Sequence, residues 1–159
     1  MLQPFVEGVV YLSDLTATSY RHVPFLDVKW DYHRDRNVLL GTLRANSFTY
    51  LKGIGMHSPS RLNYRLDRRF DRFQAELALD DRVGKRGSVV CKLYVDDGSG
   101  KWKSAYTSPV IRGGAPPLPI NVDVREARQM TLLVDVADRG DQLDHINWLD
   151  ARLVPKQNE

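Results

Sequence analysis

Residues 73–97 read FQAELALDDRVGKRGSVVCKLYVDD, and their pattern decides the fold class. Apolar residues fill every second position of 73–79 and again of 89–95. A period of two places one face of a β-strand on a core, whereas an amphipathic helix repeats its apolar residues every three or four positions. Between these segments, DDRVGKRG at 80–87 supplies the Asp and Gly residues that tight turns use. The stretch therefore predicts two β-strands joined by a turn.

The same alternation returns in three other segments, at 62–66, 120–124 and 132–136. Two further turn sequences, DDGSG at 96–100 and RGGAPPLP at 112–119, separate segments of this kind. Many short strands at this spacing, without long helical repeats between them, are typical of an antiparallel β-sandwich or barrel rather than of a parallel sheet covered by helices. We therefore predict an all-β antiparallel fold.

Length and composition restrict the class of protein. The chain has 159 residues, of which 42% are hydrophobic and 27% charged, and these values are typical of a globular domain rather than a disordered segment. No apolar run reaches the roughly 18 residues that a membrane-spanning helix needs. The start, MLQPFVEGVVYL, lacks the basic and apolar regions of a signal peptide. We expect a single domain over residues 1–159 that is not inserted in a membrane and is part of a longer protein.

Few residues in the chain suggest catalysis. Cys91 is the single cysteine, so it forms neither an intrachain disulfide nor a cysteine-based metal site. The histidines at 22, 33, 57 and 145 lack the i, i+4 spacing of a helical zinc site. Asp80–Asp81 and Asp96–Asp97 are paired carboxylates of the kind that glycosidases and cation sites use, but Asp residues in turn sequences more often bond their own backbone. We therefore do not expect an enzyme.

The segment KGIGMHSPS at 52–60 carries two glycines and a histidine. Gly53 and Gly55 permit a bulge or the close approach of another backbone, and the third glycine of a dinucleotide-binding fingerprint is missing. Neighbouring side chains on a strand point to opposite faces, so His57 and Ser58 do not form a nucleophile and its base.

Arginines are concentrated in the middle of a chain whose net charge is only +3. Their spacing would line one face of a helix that binds nucleic acid or an anionic membrane surface. The arginines concerned are Arg61, Arg65, Arg68, Arg69 and Arg72. Asp67 and Asp71 interrupt the cluster, and residues 62–66 fit a strand equally well. Polyanion binding is therefore an alternative hypothesis, and nucleic acid is not the expected partner.

The C-terminal segment DHINWLDARL at 144–153 leaves two interpretations open. If Leu149 faces the core, Trp148 lies on the outer face beside polar groups, as aromatic residues do in many sugar-binding sites. A β-bulge would instead turn Trp148 into the core. Trp102, between two lysines, is a second candidate for an exposed aromatic residue.

Taken in order, several motifs resemble the NPCBM family of carbohydrate-binding modules. These motifs are YLSDL at 11–15, KGIGMHSPS at 52–60, the alternating strand 62–66, the run 73–81 ending in LDD, LYVDDG at 93–98, YTS at 106–108 and DHINWLDARL at 144–153. The resemblance implies a galactose-binding-like jelly-roll β-sandwich that binds galactose-containing or related glycans without catalysis. It further implies attachment to catalytic or anchoring domains of an extracytoplasmic bacterial protein, and a structural calcium ion.

The resemblance also implies site residues. Glycan-binding positions are His57, Asp81, His145, Asn147 and Trp148, while Asp80 and Asp144 match the same motifs. For the calcium ion we choose Asp14, Asp35 and Asp150 as the expected ligands, because the SDL segment and the last strand, at opposite ends of the chain, can be neighbours in such a sandwich. The segment 16–46 is longer than the usual family connection, and Leu79 stands where the family often has a glycine before the Asp pair. A protein-interaction or structural sandwich that has lost sugar binding is the other alternative, and it predicts that Trp148 and Trp102 are buried or lie in an interface.

Overall fold

The computed structural model describes residues 8–23, 29–137 and 143–157. In this part of the chain the secondary structure consists of fourteen β-strands and the two short 3-10 helices Leu12–Asp14 and Asp81–Val83. The strands are β1 (Val10–Tyr11), β2 (Ser19–His22), β3 (His33–Arg34), β4 (Leu43–Ala45), β5 (Phe48–Tyr50), β6 (Gly53–His57), β7 (Ser60–Arg65), β8 (Phe70–Leu79), β9 (Ser88–Asp96), β10 (Trp102–Thr107), β11 (Ile111–Arg112), β12 (Leu118–Asp123), β13 (Gln129–Val136) and β14 (His145–Pro155). Neither described helix is long and apolar enough to cross a membrane.

Twelve of the described strands form two antiparallel sheets that pack face to face, and β4 and β5 form a separate hairpin. The first sheet has the order β12-β8-β14-β6-β3, with β1 alongside β14. The second has the order β10-β9-β13-β7-β2, with β11 alongside β9. Because β6, β7, β8 and β9 alternate between the sheets, consecutive strands cross over the core in the manner of a jelly roll. The predicted all-β sandwich is confirmed, and the predicted strands correspond to β7, β8, β9, β12 and β13.

The core lies between the sheets and is built from the apolar side of each alternating strand. Phe73 and Leu77 of β8 point into it, as do Leu93 of β9 and Leu132 of β13, and none of these side chains is exposed. Burying a side chain of this size stabilises a fold by about 1.5 to 3 kcal/mol. The period of two is thus the sequence signature of this shared core.

A β-bulge in β14 changes which residues face the core. The register with β8 shifts between Leu149 and Arg152, and Asp150 within the bulge has a positive φ of 50°. One extra residue reverses the alternation, so Trp148 before the bulge and Ala151 after it both point into the core. Trp148 is completely buried, with its ring centroid 6.3 Å from that of Phe73. The prediction that Trp148 lies on an outer sugar-binding face is therefore wrong, because the bulge turns it inward.

The hairpin formed by β4 and β5 covers the other face of the first sheet. Leu43 and Ala45 of the hairpin form a second, smaller core with Ala78 of β8 and Leu149 of β14. Leu149 is thus buried as well, beneath the hairpin rather than between the sheets. Both faces of β14 are inaccessible to a ligand over this part of the strand.

Gly55 of β6 allows another segment of backbone to pass very close. A Cβ atom at this position would lie 2.4 Å from the carbonyl oxygen of Arg36 and 2.8 Å from the Cα atom of Asn37. Both contacts are with backbone, which has little freedom to move aside. The predicted close backbone approach is confirmed at this glycine.

We expect Gly55→Ala to lower the free energy of unfolding by about 1 to 3 kcal/mol, since the new methyl group overpacks a site that cannot relax cheaply. Urea denaturation measures this loss. The control is Gly100→Ala, where a Cβ would meet no atom within 4 Å and only the positive φ of 81° opposes the substitution. Equal losses in the two variants would contradict the steric explanation.

Candidate functional site at one end of the sandwich

Three strands bring histidine side chains together at one end of the sandwich. His57 is the last residue of β6 and His145 is the first of β14, and the two are direct partners in the register of this pair. Their ring centroids lie 5.4 Å apart. His22, the last residue of β2, approaches His57 edge to face at 5.5 Å. Antiparallel pairing therefore assembles residues that are up to 123 positions apart in sequence, the difference between 145 and 22.

Trp30 completes this group, which we call the end cluster: His22, Trp30, His57 and His145. The Trp30 indole stacks on the His57 ring with centroids 5.0 Å apart and planes only 6° from parallel. The backbone of Trp30 is held as well, because its N–H donates to Nδ1 of His22 at 3.1 Å and its carbonyl accepts from the Tyr20 hydroxyl. Both the ring and its backbone are thus fixed in position.

The end cluster has a buried layer and an accessible layer. His57 and His145 are only 3% and 6% exposed, whereas His22 and Trp30 are partly exposed. Beside the accessible layer lies a depression of about 470 Å³. Its lining includes Tyr20, Arg21, His22, Lys29, Trp30 and Asp31. We call it the end depression. It offers one aromatic surface together with positively and negatively charged side chains that form hydrogen bonds.

Burial controls the charge of the inner histidine. Desolvation, and after it the neighbouring His57 ring, lower the pKa of His145 from 6.5 to about 4, while the charge of Asp80 opposes this change. His145 is consequently uncharged at neutral pH. A neutral imidazole packs beneath Trp30 without the cost of burying a charge.

The loop between β6 and β7 is fixed by buried polar contacts. The Ser58 carbonyl accepts from Nδ1 of His57 at 2.7 Å and from Nε2 of His22 at 3.2 Å, which orients both rings. The Ser58 hydroxyl donates to the Asp144 carboxylate, whose other oxygen accepts from the Ser88 N–H at 2.9 Å. Ser58 and Asp144 therefore act as a buried frame that positions the histidines.

Two other predicted glycan-binding residues lie away from the end depression. Asn147 is fully buried and donates to the Asp80 carboxylate at 2.8 Å. Asp81 accepts from the backbone N–H groups of Asn46 and Ser47, each at 2.9 Å, and so holds the turn of the β4–β5 hairpin. Their contacts in the structure are structural, and neither lines the end depression.

The three predicted calcium ligands do not form one site. Asp14 and Asp35 both bind the ammonium group of Lys52, at 2.8 and 2.9 Å, so a side-chain cation already lies between them. Asp150 has different surroundings: burial raises the pKa of its carboxyl group, and the nearby charges are those of Glu76 and Arg152. The described residues contain no group of three or more His, Cys, Asp or Glu side chains arranged for a metal. These three aspartates therefore do not fit calcium.

The five clustered arginines do not share a helix face. Arg61 and Arg65 lie on β7, Arg72 lies on β8, and Arg68 and Arg69 lie in the turn between these strands. The helical interpretation of this cluster is wrong, because the strand alternation of 62–66 prevails. Trp102 is 43% exposed on the second sheet, whereas Trp148 is buried in the chain's own core rather than in an interface.

Sequence reasoning found the two buried histidines of the end cluster and missed its accessible members. His22 and Trp30 lie in the segment 16–46, which stood out only by its length. The signal that could have found them is the stretch HVPFLDVKWDYH, at 22–33, which is rich in histidines, aromatic residues and charged residues. Residues 24–28 of it lie outside the described part of the chain.

Comparison with known protein families identifies the family of the chain. The model of the NPCBM/NEW2 domain matches residues 8–154. The chain belongs to this family. It is therefore a carbohydrate-binding module by family, and the sandwich described above is the fold of such modules.

Solved structures and a curated protein show the kind of chain in which this domain occurs. The chain is 33% identical to a Clostridium perfringens ZmpB structure of CBM51-2 in complex with GlcNAc and INT domains, over 91% of this chain and 31% of that one, with a TM-score of 0.77. The CBM51 of C. perfringens GH95, in complex with methyl-galactose, shares the fold at 22% identity and a TM-score of 0.77, over 92% of this chain and 99% of that one.

A protein of Renibacterium salmoninarum named "Putative endo-alpha-N-acetylgalactosaminidase" is 30% identical over 112 residues, which are 70% of this chain and 7% of that protein. The chain thus spans a small part of this curated relative and about a third of the ZmpB structure.

We expect the stability of the domain to fall as the pH is lowered from 6.5 towards 4. In this window the unfolded chain binds a proton at His145 that the folded chain, with its pKa near 4, does not bind, so protonation favours unfolding. His145→Phe keeps an aromatic ring and removes this proton, and it should flatten the pH dependence. Urea denaturation at pH 7, 5.5 and 4.5 measures both slopes. Identical slopes for the two proteins would contradict the assignment.

We expect Lys52→Met to lower the free energy of unfolding by about 0.5 to 1 kcal/mol, since Asp14 and Asp35 lose their partner in a partly exposed site. Thermal denaturation measures the change, and Lys101→Met, at an exposed position, is the matched control. A wild-type melting temperature that rises with calcium, in a manner abolished by Asp14→Asn and Asp35→Asn, would contradict the role given to Lys52.

Proposed function

We propose that this chain binds a neutral sugar of a galactose-containing or related glycan at the end depression, without catalysis, and so holds a larger enzyme on its glycan. The observation that carries the proposal is the Trp30 indole, stacked on the buried His57 ring at the edge of the end depression. Concave sites with an aromatic surface and a few oriented polar groups are typical of small-ligand binding.

The chemistry of a sugar ring matches the two sides of this site. A pyranose presents apolar C–H groups on one face and hydroxyl groups around its edge. The flat Trp30 indole suits the first, and Lys29 and Asp31 supply donors and acceptors for the second. His57 and His145 pack against the indole on its buried side. They position the indole and do not themselves contact the sugar.

The relatives narrow the choice of sugar. The ZmpB structure, 33% identical to this chain, holds GlcNAc, and the R. salmoninarum protein is named for an N-acetylgalactosaminidase. The sugar in that structure and the sugar in that protein's name are both N-acetylhexosamines. N-acetylgalactosamine and N-acetylglucosamine are therefore the first ligands to test, and methyl-galactose is added because the proposal includes galactose-containing glycans.

The contacts of the paired carboxylates support a role without catalysis. Asp80 accepts from Asn147 and from the backbone N–H of Arg82. Asp96 accepts from the N–H groups of Gly98 and Gly100 at 3.0 and 3.1 Å. Carboxylates engaged in this way stabilise turns, because they accept hydrogen bonds from backbone N–H groups and, at Asp80, also from the Asn147 side chain.

A shallow polar site gains little net free energy, because sugar hydroxyl groups exchange contacts with water for contacts with protein. We therefore expect weak binding by a single domain. Attachment to an enzyme or to further modules would convert weak binding into retention on a polymeric glycan. The longer relatives support this arrangement, and we place the working location of the chain outside the cytoplasm of a bacterium.

We expect Trp30→Ala to weaken binding of the best sugar in this panel by about tenfold or more, equivalent to about 1.4 kcal/mol, because the stacking surface is removed. Titration calorimetry or NMR line shifts measure the dissociation constants. Circular dichroism and the melting temperature establish that the variant is folded.

The control variant is Phe48→Ala, which removes a 67% exposed aromatic ring outside the end depression. It should leave the dissociation constant unchanged. Loss of binding in both variants, or retention of full affinity by folded Trp30→Ala, would overturn the proposed site.

A further inference from the structure

Two arginines face each other on the outer surface of the second sheet. In the pairing of β2 with β7, Arg21 lies directly opposite Arg61, and both side chains are exposed. Directly opposed residues of an antiparallel pair project to the same face, with Cα atoms about 5 Å apart. Like charges in this arrangement destabilise a sheet. The Arg21–Arg61 pair therefore has an energetic cost that the fold itself does not explain.

No carboxylate of the described residues neutralises either arginine. In residues 8–23, 29–137 and 143–157, no ion pair or side-chain hydrogen bond engages the guanidinium of Arg21 or Arg61. Arg65 differs, although it lies on the same face of β7, because it binds Asp67 at 2.8 Å. The nearby carboxylate of Asp135 has Lys92 at 3.7 Å instead.

The arginine pair lies in a groove that begins at the end depression. A depression of about 240 Å³ is lined by both arginines and by Asp135, whose carboxylate pairs with Lys92, together with Val23, Pro59 and Leu133. It shares Arg21 and Val23 with the end depression. At its other side it shares Arg61 and Leu133 with a third depression, of about 340 Å³, which is also lined by Tyr94 and Trp102. A glycan of several sugars could thus run from Trp30 past the arginine pair towards Trp102.

We propose that Arg21 and Arg61 bind the carboxylate or sulfate group of an acidic sugar, in a glycan whose neutral sugar occupies the end depression. The position of the neutral sugar rests on the proposed function. A planar guanidinium donates two parallel hydrogen bonds to a carboxylate or sulfate, and an anion between two guanidinium groups removes their mutual repulsion. Val23, Pro59 and Leu133 offer apolar contacts for the sugar ring. A nucleic acid is disfavoured, because Arg65 on this face is paired with Asp67, Arg72 lies on the other sheet, and the net charge is only +3.

The test compares sugars with and without an acidic sugar residue or an acidic group. The matched pairs are 3′-sialyllactose with lactose, for a carboxylate, and galactose 6-sulfate with galactose, for a sulfate. Wild-type protein should bind the acidic member of at least one pair about tenfold more tightly than its neutral partner. Arg61→Gln should remove this preference while leaving the affinity for the neutral sugar unchanged. Arg65→Gln changes the net charge equally and should retain the preference.

Each result has a definite meaning for the two proposals. Equal affinities within both pairs, or equal losses in Arg61→Gln and Arg65→Gln, would overturn the acidic-sugar site, while neutral-sugar binding that depends on Trp30 would leave the proposed function standing. Acidic-sugar binding that needs Arg61 but not Trp30 would support the arginine site and overturn the end depression. Binding of single-stranded DNA with the same dependence on Arg61 and a steep salt dependence would replace the acidic-sugar site with a general polyanion surface. No binding of any sugar by folded protein would overturn both.

Discussion

The pairing of β14 with β6 on one side and β8 on the other is the constraint on which the rest of the molecule depends. This strand supplies Trp148 to the core between the sheets and Leu149 to the smaller core beneath the β4–β5 hairpin. Its first residue, His145, is placed opposite His57 by the same register. A shift of one residue would exchange the two faces of the strand, moving Trp148 out of the core and His145 out of the end cluster. The bulge at Asp150 turns the side chain of Ala151 towards the core, so the core continues along the strand beyond this point.

The end cluster shows how a rigid sheet can support a binding surface that is carried by a loop. Trp30 lies outside the strands, yet its ring rests on His57 and its backbone is held by His22 and Tyr20. A surface fixed before the ligand arrives loses less conformational entropy on binding than a mobile one. The low pKa of His145 keeps the layer beneath it uncharged at neutral pH, so that the support does not carry a buried charge.

The sequence predicted the parts of the structure that depend on local pattern. Alternation of apolar residues identified the strands because each strand has one face on a common core, and the Gly55 position was recognised because only a glycine tolerates so close a backbone. The β-bulge was only one of two interpretations of the sequence, because a segment such as 144–153 is compatible with either orientation of Trp148. Burial of both faces of β14 has no local signature.

The accessible half of the site depends on contacts between distant segments, and this is why it escaped prediction. Trp30 becomes a candidate only when β2 and β6 are known to end beside each other. The surroundings of the aspartates chosen for calcium escaped prediction for a similar reason, since acidic residues alone do not reveal that Lys52 lies between two of them. Arg21 and Arg61 were 40 positions apart in sequence, the difference between 61 and 21, and the strand register made them neighbours.

The three tryptophans separate the central claim from its alternatives in one measurement. Trp30 marks the end depression, Trp102 the outer face of the second sheet and Trp148 the core. In a proton–nitrogen correlation spectrum followed during titration with N-acetylgalactosamine, N-acetylglucosamine or methyl-galactose, each indole gives its own signal. We expect a saturable shift of the Trp30 indole signal with at least one of these sugars, while the Trp148 signal stays in place. A saturable shift confined to Trp102, or no shift at Trp30 with a sugar that binds the domain, would contradict this expectation.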